Sequence, residues 1–220
     1  MYGYNAKILE INLSTNSIIT KKIDEETYKK YIGGTGLGAK ILYEEVPPKT
    51  DPLGEKNILM FLAGPFAGTI IPCSGRTSVV TKSPLTGCWA EADVGGKFGD
   101  FIKKSGYDGL LIKGKANEKS YIFIDNDCIE IRDASHLWGQ DSYDADEILR
   151  KEIDQKISTM GIGIAGELLA PLSCIVSDGK DSRMAGRCGM GAVMGSKNIK
   201  AVVCTSGKVK IELYDKESLK

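Results

Sequence analysis

The sequence predicts an α+β domain in which mixed or antiparallel β-sheets carry short flanking helices. Predicted strands outnumber predicted helices, and the helices do not alternate regularly with strands as they do in a doubly wound parallel sheet. Hydrophobic residues make up 42% of the 220 residues, which is typical of a packed globular domain. The chain is therefore expected to bury a continuous core.

The first part of the chain contains both strand and helix patterns. Residues 6–23 alternate in polarity around a central turn, which predicts a β-hairpin. Asp24 is a favourable N-cap for a short helix that stops at Gly33, and residues 35–46 predict a second helix closed by Pro47. Two buried strands and one further helix are predicted at 57–65, 76–84 and 96–106.

The second part of the chain predicts three consecutive strands, a helix and two late strands, at 109–115, 120–127, 128–133, 142–153, 172–177 and 201–213. QKISTM (155–160) is a poor strand pattern. GIGIAG (161–166) has the GxGxxG spelling, but a dinucleotide site needs a strand before it and a helix after it. Pro171 follows closely, so no dinucleotide site is predicted.

A weak internal repeat relates residues 95–115 to residues 189–208. Each stretch runs from a glycine-rich turn through a short helix to an apolar strand and a Gly-Lys pair, although few positions match. Arg76 lies well before the first stretch, and Arg183 and Arg187 lie just before the second. The repeat predicts two pseudo-symmetric halves that grip two similar groups across a pseudo-twofold axis.

Charge and hydropathy argue against several classes of protein. Lys plus Arg and Asp plus Glu both number 29, whereas a general nucleic-acid-binding protein usually has a basic excess. No run approaches the roughly 18 apolar residues that a membrane span needs, and the first residues lack the pattern of a signal peptide. We therefore expect no nucleic-acid partner, no membrane partner and a cytoplasmic location.

The six cysteines and the single histidine do not form a local metal motif. No two cysteines have CxxC or CxxxC spacing, which argues against a zinc or iron–sulfur site on one loop. We expect reduced thiols, mostly buried as small hydrophobic residues, and a structural role for His136. Glu91, Asp93 and Asp100 lie close in sequence, but solvated loop acids are commoner than an acid–base pair.

The segment SDGKDSRMAGRCGMGAVMGSKN (177–198) is typical of a site that surrounds an anion. Its glycines allow backbone N–H groups to approach a ligand closely, and the guanidinium groups of Arg183 and Arg187 match phosphate or carboxylate. The alternative is a glycine-rich turn with surface arginines. GGTGLGAK (33–40) lacks the Gly-Lys-Ser/Thr of a P-loop, so it is expected to join two helix ends.

Five segments together resemble the N-terminal domain of the tungsten-dependent aldehyde ferredoxin oxidoreductase family. They are TKSPLTG (81–87), the pair Gly95–Gly96, GYDGLLIKGKA (106–116), IEIRDASHLWG (129–139) and AGRCGMGAVMGSKNIKA (185–201). The resemblance runs from the first residue to about residue 208. It implies a mixed β structure that forms a base under a metal held by two pyranopterin dithiolenes, with no protein ligand to that metal from this domain.

The resemblance also implies which residues contact the cofactor. Arg76 and Arg183 resemble arginines that contact the phosphate regions of the two pterins. Backbone carbonyls at Asp93 and Met184 are candidate ligands of a Mg²⁺ ion that bridges the pterin phosphates. Position 93 is commonly Asn in the family, so Asp93 would bring an additional charge beside the phosphates if its side chain were used. The remaining candidate cofactor contacts are Val94, Gly95, Gly96, Ala185, Gly186 and Arg187.

The implied enzyme oxidises an aldehyde to a carboxylic acid at a tungsten or molybdenum centre, tungstopterin or molybdopterin. Electrons then pass through a [4Fe–4S] cluster to ferredoxin, and the cluster cysteines lie further along such proteins than the six present here. Two alternatives remain: a carboxylate or aromatic acyl reductase of the same family, and a stand-alone module that binds a phosphorylated ligand. A homodimer is also left open.

Domain boundaries follow from the same resemblance. Residues 1–208 correspond to the pterin-binding domain, and residues 209–220 to the start of a linker to downstream domains. A full-length member of the family continues well beyond this point, so the chain is expected to be one part of a longer enzyme and to be inactive alone.

Overall fold

Two six-stranded mixed sheets form the framework in residues 1–181 and 183–218, the part of the chain that the computed structural model describes. The first sheet contains β1 (Lys7–Asn12), β2 (Ser17–Lys22), β3 (Leu59–Ala63), β4 (Thr77–Lys82), β5 (Trp89–Val94) and β6 (Gly109–Lys113). The second contains β7 (Ser120–Asp125), β8 (Cys128–Asp133), β9 (Ile157–Gly161), β10 (Ile175–Ser177), β11 (Arg183–Ala185) and β12 (Ile199–Thr205).

Short helices join these strands. The first sheet is accompanied by α1 (Glu25–Tyr31), α2 (Gly34–Glu45) and α3 (Phe98–Lys104), and together they form the first half. The second half adds to its sheet α4 (Ser142–Glu152), α5 (Ile164–Glu167), a 3₁₀ turn (Gly179–Asp181) and α6 (Met190–Ser196). Within the described ranges, no helix combines the length and apolar character needed to cross a membrane.

The two halves repeat one strand topology. The first sheet has the order β2-β1-β6-β3-β4-β5, and the second has the order β8-β7-β12-β9-β10-β11 when read from its other edge. The last strand of each half, β6 or β12, is parallel to one neighbour and antiparallel to the other. The helix–strand pairs α3–β6 and α6–β12 therefore occupy equivalent places. The predicted α+β class and the two pseudo-symmetric halves are confirmed.

The core lies mainly between the two sheets. One continuous apolar cluster contains buried residues from both sheets together with residues of α3 and α6, including Phe61, Phe98, Ile122, Val193 and Val202. Helices α1 and α2 cover the outer face of the first sheet, and α4 covers that of the second. The outer helices therefore cover the two sheets, while α3 and α6 contact strands of both sheets.

Most local predictions for the first half are confirmed. Strands β1 and β2 form the expected hairpin. The carboxylate of Asp24 accepts the backbone N–H of Thr27 at 2.8 Å and so caps α1. Helix α2 ends at Glu45, just before Pro47. Gly33 and Gly34 join α1 to α2 as expected, and Gly33 is the N-cap of α2.

The rejection of a strand at QKISTM was wrong, because Ile157–Gly161 form β9 in the second sheet. Ser158 and Thr159 are buried there, and their hydroxyl groups donate to the carboxylates of Asp178 and Asp146. A buried hydroxyl that finds an acceptor has little desolvation cost. The helix that follows, α5, has only four residues, so the dinucleotide motif is still incomplete.

The expectation that the cysteines are mostly buried was also wrong. Cys73, Cys88 and Cys128 are exposed, and Cys204 is buried. All six thiols are free. His136 is partly exposed, and its Nε2 lies 3.2 Å from the carboxylate of Glu152.

The predicted linker packs against the first half where it begins. The backbone N–H of Val209 donates to the carbonyl of Lys104 at 2.9 Å, and the N–H of Gly3 donates to the carbonyl of Glu212 at 2.7 Å. Residues 219–220 lie outside the described residues.

Gly195 in α6 is expected to be intolerant of any side chain. A Cβ there would overlap the carbonyl oxygen of Gly166, which ends the close approach of α6 to α5. Gly195→Ala should lower the free energy of unfolding by about 2 to 3 kcal/mol, the upper part of the usual overpacking range. Chemical denaturation measures this loss. Gly161→Ala is the matched control, because its Cβ would approach no atom closer than 3.6 Å. Equal losses in the two variants would contradict the steric explanation.

Candidate anion-binding site between the two halves

A cavity of about 350 Å³ opens between the two halves at one end of the sheets. The first half contributes residues 73, 75, 76 and 95–97, and the second half contributes Asp178, Asp181 and Arg183. Four of the residues predicted for the site therefore line one cavity: Arg76, Gly95, Gly96 and Arg183. The cavity therefore brings together Arg76 and Arg183, which are more than a hundred residues apart in sequence.

Strand register explains how the first half supplies its part of the wall. Thr77 and Val94 are paired at the end of the antiparallel strands β4 and β5. Arg76 comes just before this pair and Gly95 just after it, so both leave the sheet at the same end. The second half reaches the cavity through β11, which begins at Arg183 and contacts β5.

The glycines at 95 and 96 permit the second half to approach. A Cβ on Gly95 would lie 2.6 Å from Cδ of Arg183, so the side chain of Arg183 crosses directly over this residue. Gly96 has φ of +115°, which side chains disfavour. A Cβ there would also overlap Ser177 Oγ and lie 2.7 Å from Asp178 Oδ2. The tight contact between the halves therefore depends on this glycine pair.

The charges in the cavity favour an anion. Arg76, Lys97 and Arg183 face two carboxylates, those of Asp178 and Asp181. The Asp178 carboxylate is already committed, because it accepts the backbone N–H of Lys97 at 2.9 Å and the Ser158 hydroxyl at 2.6 Å.

The two arginines retain most of their donors. Among the described residues, Arg183 donates one hydrogen bond, from Nη1 to the Asp181 carbonyl at 3.3 Å. Arg76 is exposed, and its guanidinium has no hydrogen bond or ion pair with the residues that the structure describes. Unused guanidinium donors from both halves are suited to a phosphate or carboxylate.

The other predicted site residues lie beside the cavity rather than in its wall. Val94 and Ala185 are buried at the ends of β5 and β11. Asp93 and Met184 are exposed and directly precede them. The remaining two, Gly186 and Arg187, are exposed in the turn that follows β11.

The Asp93 carboxylate has a partner within the first half. Its Oδ1 accepts the Ser78 hydroxyl at 2.6 Å. Thr35 donates to Glu91, the other acid on the same face of β5. Asp100 instead accepts the backbone N–H of Gly68 at 2.7 Å. The three acids noted in the sequence thus have separate structural partners. No group of three His, Cys, Asp or Glu side chains suited to a metal ion occurs in residues 1–181 and 183–218.

The two arginines come from non-equivalent positions of the duplicated fold. Arg76 directly precedes β4, whereas Cys174 directly precedes the equivalent strand β10. Arg183 lies two residues before the end of β11, whereas Ala92 has that place in β5. The strand framework is therefore repeated, but its cationic side chains are not.

Three residues of the site were not predicted from the sequence: Lys97, Asp178 and Asp181. Lys97 follows Gly95 and Gly96 directly, so a cation next to a glycine turn was an available signal. Asp178 and Asp181 lie in the glycine-rich segment, but an acid is not a residue type that indicates an anion site. The role of Asp178 as a backbone acceptor could not be recognised without its partner from the other half.

A closely similar fold occurs in a solved structure of a reductase complex. The structure titled "Active site complex BamBC of Benzoyl Coenzyme A reductase in complex with 1,5 Dienoyl-CoA" contains a chain that matches with a TM-score of 0.90 and 38% identity. The match covers 96% of this chain and 32% of that chain.

The chain belongs to the family described as aldehyde ferredoxin oxidoreductase, N-terminal domain, whose model matches residues 8–206. It is 44% identical over 218 residues to a tungsten-containing aldehyde ferredoxin oxidoreductase of Pyrococcus furiosus, covering 99% of this chain and 36% of that protein. A similar protein of Thermococcus kodakarensis is 43% identical over 218 residues, with the same coverage. The resemblance noted in the sequence is thus confirmed, and the chain spans about a third of the length of these relatives.

An aliphatic sulfonate oxidoreductase, WOR-like subunit, of Pyrococcus furiosus is also similar. It is 37% identical over 236 residues, and the match covers 100% of this chain and 37% of that protein. The family fold is therefore used by oxidoreductases with different named substrates.

Proposed function

We propose that the chain is the cofactor-binding part of an aldehyde:ferredoxin oxidoreductase and that its cavity binds the phosphate groups of a bis-pterin tungsten or molybdenum cofactor. The main observation in support of this proposal is that Arg76 and Arg183 line one cavity from opposite halves of the fold. The names of the relatives support the tungsten-dependent reaction with an aldehyde. The longer protein would oxidise the aldehyde to a carboxylic acid and pass two electrons to ferredoxin.

The residues of the cavity fit a phosphorylated ligand. Guanidinium groups and loop amides are suited to bind phosphate oxygens, and the cavity offers both kinds of donor. The glycine pair at 95 and 96 leaves the backbone accessible on the cavity side. The phosphate groups would be held by Arg76, Arg183 and the glycine turn.

When bound, the metal and its pterins supply the redox chemistry. The residues of this chain bind and orient. Arg76 and Arg183 neutralise phosphate charge, and the turn at Gly95 and Gly96 sets the distance between the ligand and the first sheet. The two sheets provide a rigid base, because the apolar cluster between them includes residues of both halves.

A bridging Mg²⁺ would use backbone oxygens of Asp93 and Met184. These residues occupy equivalent positions, each next to the last residue of its strand, and β5 contacts β11. Carbonyl oxygens are suitable ligands for this hard cation. The hydrogen bond from Ser78 holds the Asp93 carboxylate, which supports use of the main-chain oxygen at this position. The [4Fe–4S] cluster would be bound by residues outside this chain.

Replacing either cavity arginine should reduce cofactor retention. Arg76→Ala and Arg183→Ala each remove charge-assisted hydrogen bonds to phosphate, which are worth about 1.5 to 3 kcal/mol, so tungsten and phosphorus content of the full-length protein should fall about tenfold after dialysis. Elemental analysis measures both. Arg132→Ala is the matched control, because this arginine pairs with Glu130 away from the cavity. Retention unchanged in the two cavity variants would refute the assignment.

A second candidate keeps the family and changes the reaction to reduction of an aromatic acyl thioester. The observation in its favour is the structural match to the chain from the benzoyl coenzyme A reductase complex. Assays of the full-length protein with aldehydes and with benzoyl coenzyme A distinguish the two reactions. A nucleotide that binds tightly to this chain, with no bound pterin in the full-length protein, would instead support a stand-alone phosphate-binding module.

A further inference from the structure

Each half of the fold uses a residue just after its β4-type strand to hold the glycine turn of the other half. Asp178 is the first residue after β10, and its Oδ2 accepts the backbone N–H of Lys97 at 2.9 Å. Ser83 is the first residue after β4, and its Oγ donates to the carbonyl of Cys188 at 2.8 Å. Each half therefore holds a turn of the other, but Asp178 and Ser83 are not twofold equivalents, because the strand register makes Val80 the counterpart of Asp178.

Both contacts act on the turns that carry the proposed cofactor site. Lys97 ends the turn that contains Gly95 and Gly96, and it directly precedes α3. Cys188 belongs to the equivalent turn, which runs from Gly186 to the start of α6 at Met190. The position of each turn is thus set by a side chain of the opposite half.

Asp178 is built for a fixed orientation. Its side chain is buried, and Oδ1 accepts the Ser158 hydroxyl at 2.6 Å and the Thr159 N–H at 3.2 Å. Both of these donors belong to β9. Oδ2 is thereby directed at the first half, where Gly96 leaves room for it. A carboxylate bridge of this kind ties the second sheet to the first.

We propose that Asp178 is a positioning residue for cofactor binding, because it fixes the turn at 95–97 relative to Arg183. Ser83 has the reciprocal role at the turn that contains Cys188. The identity of the ligand in this inference rests on the proposed function, but the claim that Asp178 holds the turn at 95–97 concerns this chain alone. Removal of either contact should loosen one turn locally before it affects the whole fold.

The test uses the full-length protein with Asp178→Asn, and Asp146→Asn as the matched control. Asp146 is another buried carboxylate of the second half, and its partners Arg150 and Thr159 both belong to that half. Hydrogen exchange on cofactor-free protein should show the Lys97 amide exchanging about tenfold faster or more in Asp178→Asn only, as expected for a lost hydrogen bond to a charged group. Tungsten and phosphorus retention should fall in the same variant only.

Ser83→Ala provides the second measurement and decides the question if Asp178→Asn does not fold. Faster exchange should then appear in the turn at 186–190 and at the Leu85 and Thr86 amides, because Ser83 Oγ also accepts their N–H groups at 3.1 Å. Equal exchange and retention in Asp178→Asn and Asp146→Asn, or an unchanged turn in Ser83→Ala, would overturn the proposal. Absence of tungsten and pterin phosphate from the unmodified protein would instead refute the proposed function, while the exchange results on cofactor-free protein would still report on the two contacts.

Discussion

Lys103→Met is expected to lower the free energy of unfolding by about 3 to 5 kcal/mol, the cost of leaving one charge of a buried ion pair without its partner. The Lys103 ammonium lies 2.7 Å from Oδ1 of Asp108, and both side chains are almost completely buried. The ammonium also donates to the Gly3 carbonyl at 2.6 Å. Burial lowers the pKa of Lys103, and the Asp108 carboxylate opposes that shift.

The size of the expected loss in stability follows from the state of Asp108 in the Lys103→Met variant. Asp108 would keep its hydrogen bonds from the Tyr28 hydroxyl at 2.7 Å and the Asn5 N–H at 3.0 Å, but its charge would have no cation beside it. The double variant Lys103→Met, Asp108→Asn should recover most of the loss, because an amide oxygen in the place of Oδ2 accepts both the Tyr28 hydroxyl and the Asn5 N–H, which lies 3.1 Å from that atom. Chemical denaturation of Lys103→Met, Asp108→Asn and the double variant gives the coupling energy.

A surface lysine provides the control for this experiment. Lys151 pairs with Glu147 at 2.7 Å, but their side chains are 67% and 45% exposed. Lys151→Met should therefore cost less than about 1 kcal/mol. Additive losses in the double variant, or equal losses at 103 and 151, would show that the buried pair has no special energetic role.

The stability contributed by Lys197 is expected to rise with pH above about 8. This lysine follows α6, is buried, and donates to the carbonyls of Asn57 at 2.6 Å and Gly114 at 2.9 Å. Burial lowers its pKa from 10.5 to about 8, while Glu55 opposes the shift. The buried ammonium therefore reduces stability at neutral pH.

The direction of this effect follows from proton binding. Between about pH 8 and 10.5 the unfolded chain keeps the Lys197 proton and the folded chain has lost it. Stability rises with pH wherever the unfolded state binds more protons. The full relief, from pH 7 to above pH 10.5, should reach about 3 kcal/mol at 1.36 kcal/mol for each pKa unit.

The measurement is the difference in unfolding free energy between the unmodified chain and Lys197→Met as a function of pH. Other groups that titrate in this range cancel in that difference. It should move in favour of the unmodified chain as pH rises. Lys156→Met, at an exposed position, should give a nearly constant difference. A constant difference for Lys197→Met as well would contradict the burial argument.

The fold was largely predictable because its elements are locally specified. The hairpin, the cap at Asp24 and the stop before Pro47 depend on residues close in sequence. The internal repeat in the sequence also predicted the duplicated fold, because α3–β6 and α6–β12 occupy equivalent places. Strand β9 was missed because Ser158 and Thr159 become compatible with burial only through acceptors from distant segments.

The candidate site was predictable only where the type of a residue indicates its chemistry. Arginines and glycines were identified by chemical type, and four of them line one cavity. The side chains that orient those residues belong to types with many common roles, so residue type alone does not identify them. Asp178 acts through a backbone N–H that is 81 positions away, and no local pattern reveals such a partner.

The strand framework is repeated in the two halves, but the positions of the cavity arginines are not. This difference has a chemical consequence. Cys174 and Ala92 stand where a true twofold copy would place the counterparts of Arg76 and Arg183. Two identical ends of one bound molecule would therefore experience different electric fields. Such a difference can make one end easier to oxidise than the other, so that a ligand with matching halves acquires a preferred direction for electron flow.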